Sequence, residues 1–324
     1  MTKPSGFFQA GLFCAAMMAV PGVTSAQVEL SGGWGARQHE DVPDRNAGPR
    51  VGEYQGLPIN EASRARGEAW SAGIWTVPEH QCIPHPSDYG SNVSNLVVWH
   101  DMNPTTGEIL AYHTQMQWMT PVRTIWMDGR PHPSEFAPHT YMGFSTGKWE
   151  GDTLTVTTTH LKTGYIRRNG IARTENATVY ERLIRNGDFL TWITIIDDPE
   201  LLTEPYIKSR NFVYEPGLHS GLYPCSVDVE IPGDQTKIPH YLFGANPYLN
   251  EMAAENGIPE EARAGGALTM YPEYVDRLRT LPAAAHKPVV VPEAIIIRPS
   301  ANGQPAPRGN TKPAVTPAPA RPAQ

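Results

Sequence analysis

The sequence lacks an excess of basic residues and several common enzyme motifs. Lys and Arg number 26 against 33 Asp and Glu, which gives a net charge of −7. A nucleic-acid partner is therefore not expected, because counterion release from a phosphate backbone needs a concentrated basic face. No nucleotide-binding loop, H-E-x-x-H helix or zinc ribbon is present, and we expect neither a cofactor nor a metal. With 40% hydrophobic and only 18% charged residues, the chain must contain a globular domain.

Long apolar runs are also missing, and the one near the start has the layout of a secretory signal peptide. Lys3 precedes an apolar stretch at 7–23, and Thr24-Ser25-Ala26 supplies a small-residue cleavage site. Gln9 and Pro21 leave the stretch short of the roughly 20 uninterrupted apolar residues of a spanning helix. We therefore predict cleavage after Ala26, no membrane span in the mature chain, and a periplasmic or secreted location. An uncleaved N-terminal anchor is the alternative.

Cysteine is scarce, and signal cleavage would leave only two. Cys14 falls in the signal peptide, so Cys82 and Cys225 remain as an even pair in an oxidising compartment. A Cys82–Cys225 disulfide is the natural prediction. A metal site is the alternative, because His80, Cys82 and His85 place two imidazoles and a thiol within six residues, but no second cluster supplies further ligands.

The middle of the chain predicts a mainly β fold. Residues rich in Val, Ile, Thr, Trp and Tyr form short runs separated by turn signals such as Glu150-Gly151-Asp152 and Asn186-Gly187-Asp188. The runs are 95–101, 108–118, 122–127, 139–149, 153–160, 176–186, 189–197 and 205–214. Such short connections favour antiparallel hairpins. We predict an antiparallel meander of about eight strands, either a lipocalin-like barrel or a strongly curved sheet, with short peripheral helices.

Composition divides the chain into five segments. The helical predictions are 61–72, capped by Asn60, and 246–256, 259–265 and 271–280, which have Pro near their starts. The tail has 10 prolines in 43 residues and almost no aromatic side chains, so it is predicted to be disordered. The predicted segments are the signal peptide 1–26, an N-terminal arm and short helix at 27–92, the β-meander core 93–232, a helical segment packed on the core at 233–281, and the Pro/Ala-rich tail 282–324.

Strand alternation places two titratable side chains on apolar faces. His160 ends the row formed by Leu154, Val156 and Thr158, and Glu181 shares a face with Val179 and Leu183. A solvated Glu181, with Tyr180 and Ile184 inward, is the alternative register. If turnover occurs, His160 would be the acid or base, Glu181 its carboxylate partner, and Arg167 or Arg168 the oxyanion stabiliser.

The segment after His160 concentrates polar side chains in one loop. Lys162, Tyr165 and Asn169 are candidate ligand-binding residues there, since cations, a phenol and a carboxamide suit an anionic or carbonyl-bearing ligand. Trp118 and Trp192 are candidate linings of a barrel cavity. In the simpler interpretation the loop is a solvated hairpin turning at Asn169-Gly170, and the tryptophans are core.

Several runs resemble a large family of secreted bacterial proteins of unknown function. The longest are Arg123–Pro133, with the letters RTIWMDGRPHP, and Gly143–Leu154, with GFSTGKWEGDTL. The resemblance extends through His160-Leu161-Lys162, Arg167–Gly170, Asp198-Pro199, Tyr223-Pro224-Cys225 and Met270–Tyr274, and covers most of 55–280. It implies family membership and carries over no activity, cofactor or catalytic residue.

Three functions remain open at this level. The first is periplasmic binding of a small hydrophobic or amphipathic molecule in a β-barrel pocket. The second is an enzyme, a lyase, isomerase or hydrolase, using His160 with Glu181 and Arg167 or Arg168. The third is a structural or interaction module of the envelope, with the Pro/Ala tail as a spacer.

Overall fold

Nine strands close into a barrel in the computed structural model, which describes residues 28–37, 50–71, 78–90, 95–117, 119, 121–219, 221, 224–226 and 240–285. The barrel strands are β1 Gly32–Arg37, β2 Leu96–Met102, β3 Ile109–Met116, β4 Arg123–Trp126, β5 Phe144–Glu150, β6 Thr153–Thr159, β9 Thr178–Asn186, β10 Phe189–Asp197 and β11 Tyr206–Tyr214. β7 Gly164–Arg167 and β8 Ile171–Arg173 form a separate two-stranded sheet. The mainly β fold and the closed barrel are confirmed.

The strand order departs from a simple antiparallel meander at two places. β4 and β5 run parallel, with Ile125 opposite Ser145, because the long connection 127–143 carries the chain back before β5 begins. β6 pairs with β9, and the β7–β8 hairpin lies between them in sequence. Every other barrel pair is antiparallel.

β1 corrects the expectation of an irregular N-terminal arm. It pairs with both β11 and β2 and so closes the barrel. Its glycines hide the strand signal but fit the site, since a Cβ on Gly33 would stand 2.5 Å from the carbonyl oxygen of Glu215. Trp34, on the same strand, is fully buried.

The barrel interior is packed with side chains. Alternation in β6 points Leu154, Val156 and Thr158 inward, as predicted. Barrels of about eight strands have interiors just wide enough for side chains to fill. The main core consists of Leu30, Trp34, Leu96, Val98, Tyr112, Met116, Ile125, Leu154, Val156, Leu183, Leu190, Trp192 and Phe212.

A second core joins the N-terminal segment and the β7–β8 hairpin to the barrel. It contains Tyr54, Leu57, Ile59, Leu161, Ile166, Ile171, Val179, Ile196 and Leu202. Ile166 and Ile171 come from the hairpin, whereas Val179 and Ile196 belong to β9 and β10. The hairpin therefore packs against the body of the protein and is not a solvated loop.

Short helices surround these cores. They are α1 Glu61–Ala69, α2 Ser87–Gly90, α3 Glu251–Glu255, α4 Glu260–Ala264 and α5 Pro272–Leu278, with 3₁₀ turns at Pro78–Gln81 and Gly266–Met270. Asn60 caps α1 as predicted, since its Oδ1 accepts from the Ser63 amide at 3.0 Å. None of the described helices has the length and apolar character to cross a membrane. The predicted signal peptide and the tail beyond residue 285 lie outside the described residues.

Candidate functional site

A cavity of about 430 Å³ lies outside the barrel, beside the β7–β8 hairpin. We call it the hairpin cavity. Its walls come from α1, from segment 78–86, from Tyr141 and from residues 163–172. The side chains that set its chemistry are three aromatic rings, two imidazoles and one guanidinium: Trp70, Tyr141, Tyr165, His85, His240 and Arg66.

Two glycines let the hairpin approach its neighbours closely enough to shape this cavity. Gly170 turns the hairpin with φ of +90°, and a Cβ there would lie 2.5 Å from the Trp70 Cβ. A Cβ on Gly164 would lie 2.6 Å from Pro86 Cγ. Any larger side chain at either position would therefore push a wall of the cavity outward.

A buried ion pair lies behind the hairpin wall. Arg173 Nε and Nη2 donate to the Asp88 carboxylate at 2.9 and 3.1 Å, and Nη2 also donates to the Lys162 carbonyl at 3.0 Å. Burial would raise the pKa of Asp88, but the adjacent Arg173 more than reverses this, so that pKa lies below its usual range. The pair holds α2 against β8.

Lys208 extends this cluster from β11. Its Nζ donates to the Asp88 carbonyl at 2.7 Å. Desolvation lowers the pKa of Lys208 to about 8, although Asp88 and Glu181 act to raise it. Lys208 therefore links the ion pair behind the cavity to the charges inside the barrel.

The predicted disulfide is present and borders the cavity. Cys82 and Cys225 are bonded, with an S–S distance of 2.04 Å. Gln81 and Ile83, on either side of Cys82, both line the cavity. Because the Cys82 sulfur is in the disulfide, it is not available for the alternative metal site, and no cluster of His, Cys, Asp or Glu in the described part of the chain could hold a metal ion.

Glu181 faces the barrel interior, as the main alternation predicted, and its partner is Arg123. Arg123 Nη1 donates to Glu181 Oε1 at 3.1 Å, and Nη2 donates to Oε2. Trp192 Nε1 donates to the same carboxylate at 3.0 Å. Arg123 also donates to Ser145 and Thr158, on β5 and β6. Glu181 is thus held by an arginine and an indole, with no histidine among these contacts.

His160 lies in a hydrogen-bonded chain with a second histidine. His160 Nε2 contacts the Ser134 carbonyl at 2.8 Å, while Nδ1 contacts Thr159 Oγ1 at 2.7 Å. His132 Nδ1 contacts that same hydroxyl at 2.7 Å, and its Nε2 contacts Thr146 Oγ1 at 2.8 Å. His160 also has φ of +57°, a conformation uncommon outside glycine and asparagine.

The partners fix the proton positions when both rings are neutral. A carbonyl only accepts, so His160 Nε2 carries its proton and Nδ1 accepts from Thr159. The single hydroxyl proton of Thr159 is then used, and His132 Nδ1 must donate to that oxygen. Desolvation, and then His160, lower the pKa of His132. None of these residues lines the hairpin cavity, so the chain's direct role is to hold loop 128–140 on β5 and β6.

The remaining predicted site residues divide between the cavity and the core. Tyr165 lines the cavity, and Lys162 lies with Nζ 5.0 Å from the ring centre of Tyr141. Asn169 is fully buried, and its Nδ2 donates to the Glu53 carbonyl at 2.8 Å and to that of Arg50 at 3.3 Å. Trp192 is barrel core.

The two arginines of the enzyme hypothesis lie on the hairpin. Arg167 ends β7 and Arg168 begins the turn. Glu181 lies in the barrel strand β9 and is bound by Arg123, and His160 follows β6 under loop 128–140. The contacts thus place these side chains in three different settings. Trp118 lies outside the described residues.

One motif is absent from the sequence-based predictions: Gly143-Phe144-Ser145-Thr146-Gly147 has the G-x-S-x-G spacing of a nucleophile elbow. Such an elbow exposes its serine at a sharp turn between a strand and a helix. Ser145 instead lies within β5, is 1% exposed, and binds Arg123 and Thr158. The spacing therefore does not mark a serine hydrolase here. Arg123 also went unrecognised, although an inward cation opposite Glu181 was the expected remedy for its burial.

Comparison with known proteins adds no assignment. No protein-family model matches the chain, and neither a curated protein nor a solved structure does. The function therefore has to be argued from the site itself.

Proposed function

We propose that this protein is exported to the periplasm or beyond the cell and there binds a small, mainly apolar molecule in the hairpin cavity. The observation that carries the proposal is the cavity itself. Its volume of about 430 Å³ falls within the 300–1,000 Å³ typical of small-molecule sites. The Cys82–Cys225 disulfide beside it supports export, since such bonds persist in oxidising compartments.

The lining resembles that of a ligand site in composition as well as size. Trp70, Tyr141 and Tyr165 offer large apolar faces with polar tips, and Ile83 and the neighbouring prolines add aliphatic surface. A few polar groups, including Thr163, stand among them. An apolar cavity with few polar groups orients a ligand through those groups and gains affinity from the rest.

The proposal moves the ligand from the interior of the barrel to its outside. Trp192, expected to line a barrel pocket, is 1% exposed and packs with Phe212 in the main core. The Arg123–Glu181 pair lies in the same interior. A ligand there would have to displace packed side chains and a buried ion pair, whereas the hairpin cavity needs no such rearrangement.

The test is fluorescence titration of the full-length exported protein with N-phenyl-1-naphthylamine, a neutral apolar probe. Ala69 lines the cavity from α1, and Ala69→Trp should fill it and abolish saturable binding. Tyr165→Ala should weaken binding about tenfold, because it removes apolar area from a wall. The matched control is Tyr180→Ala, on the outer face of β9 and 43% exposed.

Retained binding in Ala69→Trp would contradict the proposal, as would equal losses in Tyr165→Ala and Tyr180→Ala. Thermal unfolding of each variant checks that the fold is intact. Absence of any saturable site in the unsubstituted protein would favour the envelope-module hypothesis instead.

A further inference from the structure

We infer that the hairpin cavity selects an aromatic or amphipathic anion, a carboxylate or sulfonate, with Arg66 as its counter-ion. This inference rests on the proposed function and adds the charge of the ligand to it. The argument uses the charges that line the cavity, the polar groups at the end of α1, and a second cation behind Tyr141.

The lining is electrically one-sided. Arg66 contributes a permanent positive charge, and no Asp or Glu is among the described residues that line the cavity. His85 and His240 are neutral or positive in every protonation state. A cationic ligand would therefore meet no carboxylate in this lining, whereas an anionic ligand would meet a guanidinium able to form two parallel hydrogen bonds.

Arg66 is available for such a bond. It is exposed in the last turn of α1 and forms no salt bridge with any residue that the structure describes. Nearby arginines are already engaged: Arg173 binds Asp88, and Arg263 lies 3.7 Å from Glu68. A guanidinium without an acidic partner at a cavity edge is free to pair with a ligand.

The carboxyl end of α1 would ordinarily repel an anion, because its last carbonyls carry partial negative charge. Those carbonyls are covered here. Asn246 Nδ2 donates to the Glu68 and Trp70 carbonyls at 3.0 and 3.1 Å, and the Tyr241 amide donates to that of Ala69 at 2.8 Å. The negative end of the helix is thus compensated before a ligand arrives.

A second cation strengthens the same preference. Lys162 Nζ lies 5.0 Å from the centre of the Tyr141 ring, which is a cavity wall. Lys162 is exposed and, like Arg66, has no ion-pair partner among the described residues. The two cations flank a cavity whose other walls are aromatic, so a ligand with a flat apolar body and one negative group satisfies both features.

Two probes with one skeleton isolate the charge. N-phenyl-1-naphthylamine is neutral, and 1-anilinonaphthalene-8-sulfonate adds a sulfonate to the same rings. At low salt the unsubstituted protein should bind the sulfonate roughly fivefold more tightly than the neutral probe, as expected for a partly exposed charge pair. High salt should reduce this ratio.

Substitution then assigns the preference to a residue. Arg66→Gln should bring the ratio of the two dissociation constants close to one, and Lys162→Gln should lower it in part. The matched control, Arg182→Gln, removes an exposed cation from the outer face of β9, and the ratio should not change. Equal reductions in Arg66→Gln and Arg182→Gln would attribute the preference to net charge and overturn the inference.

The outcomes separate the two proposals. If Ala69→Trp abolishes neutral-probe binding but the sulfonate binds no more tightly than the neutral probe, the anion inference fails and cavity binding stands. If Ala69→Trp leaves both probes bound, the proposed function fails and takes the inference with it. Loss of the preference in Arg66→Gln alone, with Ala69→Trp blocking both probes, supports both.

Discussion

Replacing Glu181 by Gln should strongly destabilise the barrel, because it leaves a buried arginine without its counter-charge. The side chains of Arg123 and Glu181 are 2% and 0% exposed. The carboxamide oxygen introduced by Glu181→Gln could still accept from Trp192 Nε1, so the change acts mainly on Arg123. The remaining partners of Arg123, Ser145 Oγ at 3.0 Å and Thr158 Oγ1 at 2.6 Å, are neutral.

Breaking a buried ion pair by removing one partner costs about 3–5 kcal/mol. That is a large fraction of the roughly 5–15 kcal/mol that holds a typical domain folded. Urea unfolding followed by circular dichroism would measure the loss as a lower midpoint. The control is Asp276→Asn, in a surface pair whose side chains are 72–75% exposed, and it should change the free energy of unfolding by less than about 0.5 kcal/mol.

The double variant Arg123→Met, Glu181→Leu distinguishes a coupled pair from two independent groups. Since an apolar pair of similar volume often replaces a buried ion pair at little cost, the double variant should lose less stability than Glu181→Gln alone. The reasoning would be refuted by an unfolding midpoint for Glu181→Gln equal to that of Asp276→Asn, or by losses in the double variant equal to the sum of the two single losses.

Three further predictions concern the hairpin, the disulfide and pH. Gly170→Ala should cost more than the roughly 1–2 kcal/mol expected for positive φ alone, and more than Gly187→Ala in thermal unfolding, because Gly187 has φ of +59° but open space around it. Reducing the Cys82–Cys225 bond, which spans 143 residues, should lower the free energy of unfolding by up to about 5 kcal/mol in the chain-entropy model and weaken probe binding, measured by urea titration and fluorescence; unchanged values would contradict both. Because the pKa of His132 is lowered, its contribution is complete above about pH 6.5 and is lost as pH falls through the folded-state pKa, so His132→Asn should flatten the pH dependence of the urea midpoint there.

Local chemistry made most of the fold predictable. The hairpins β5–β6 and β9–β10 turn at Gly151 and Gly187, with φ of +62° and +59°, and a turn signal of this kind needs no knowledge of the rest of the chain. β1 could not be found in this way, because its glycines give no strand propensity and its partners β2 and β11 are distant in sequence. The parallel β4–β5 pair escaped for the same reason.

The site was harder to predict than the fold. Alternation places Glu181 inward, but its partner Arg123 is 58 positions away, and only closure of the barrel brings the two together. The hairpin cavity likewise draws on α1, segment 78–86 and the β7–β8 hairpin. The sequence marks Tyr165 and Lys162 as candidates, whereas nothing in it distinguishes Arg66 from the other arginine of α1.

Whether a polar side chain is already bonded within the protein separates structural from ligand-binding candidates here. Glu181 is neutralised by Arg123, and Asn169 is buried against two carbonyls. Releasing either to a ligand would break contacts that the fold needs, at a cost that ligand binding would have to exceed. Arg66 and Lys162 carry no such cost, since neither has an ion-pair partner in the described part of the chain. The same physical criterion that removes Glu181 and Asn169 from a ligand site therefore favours the edge of the hairpin cavity over the barrel interior.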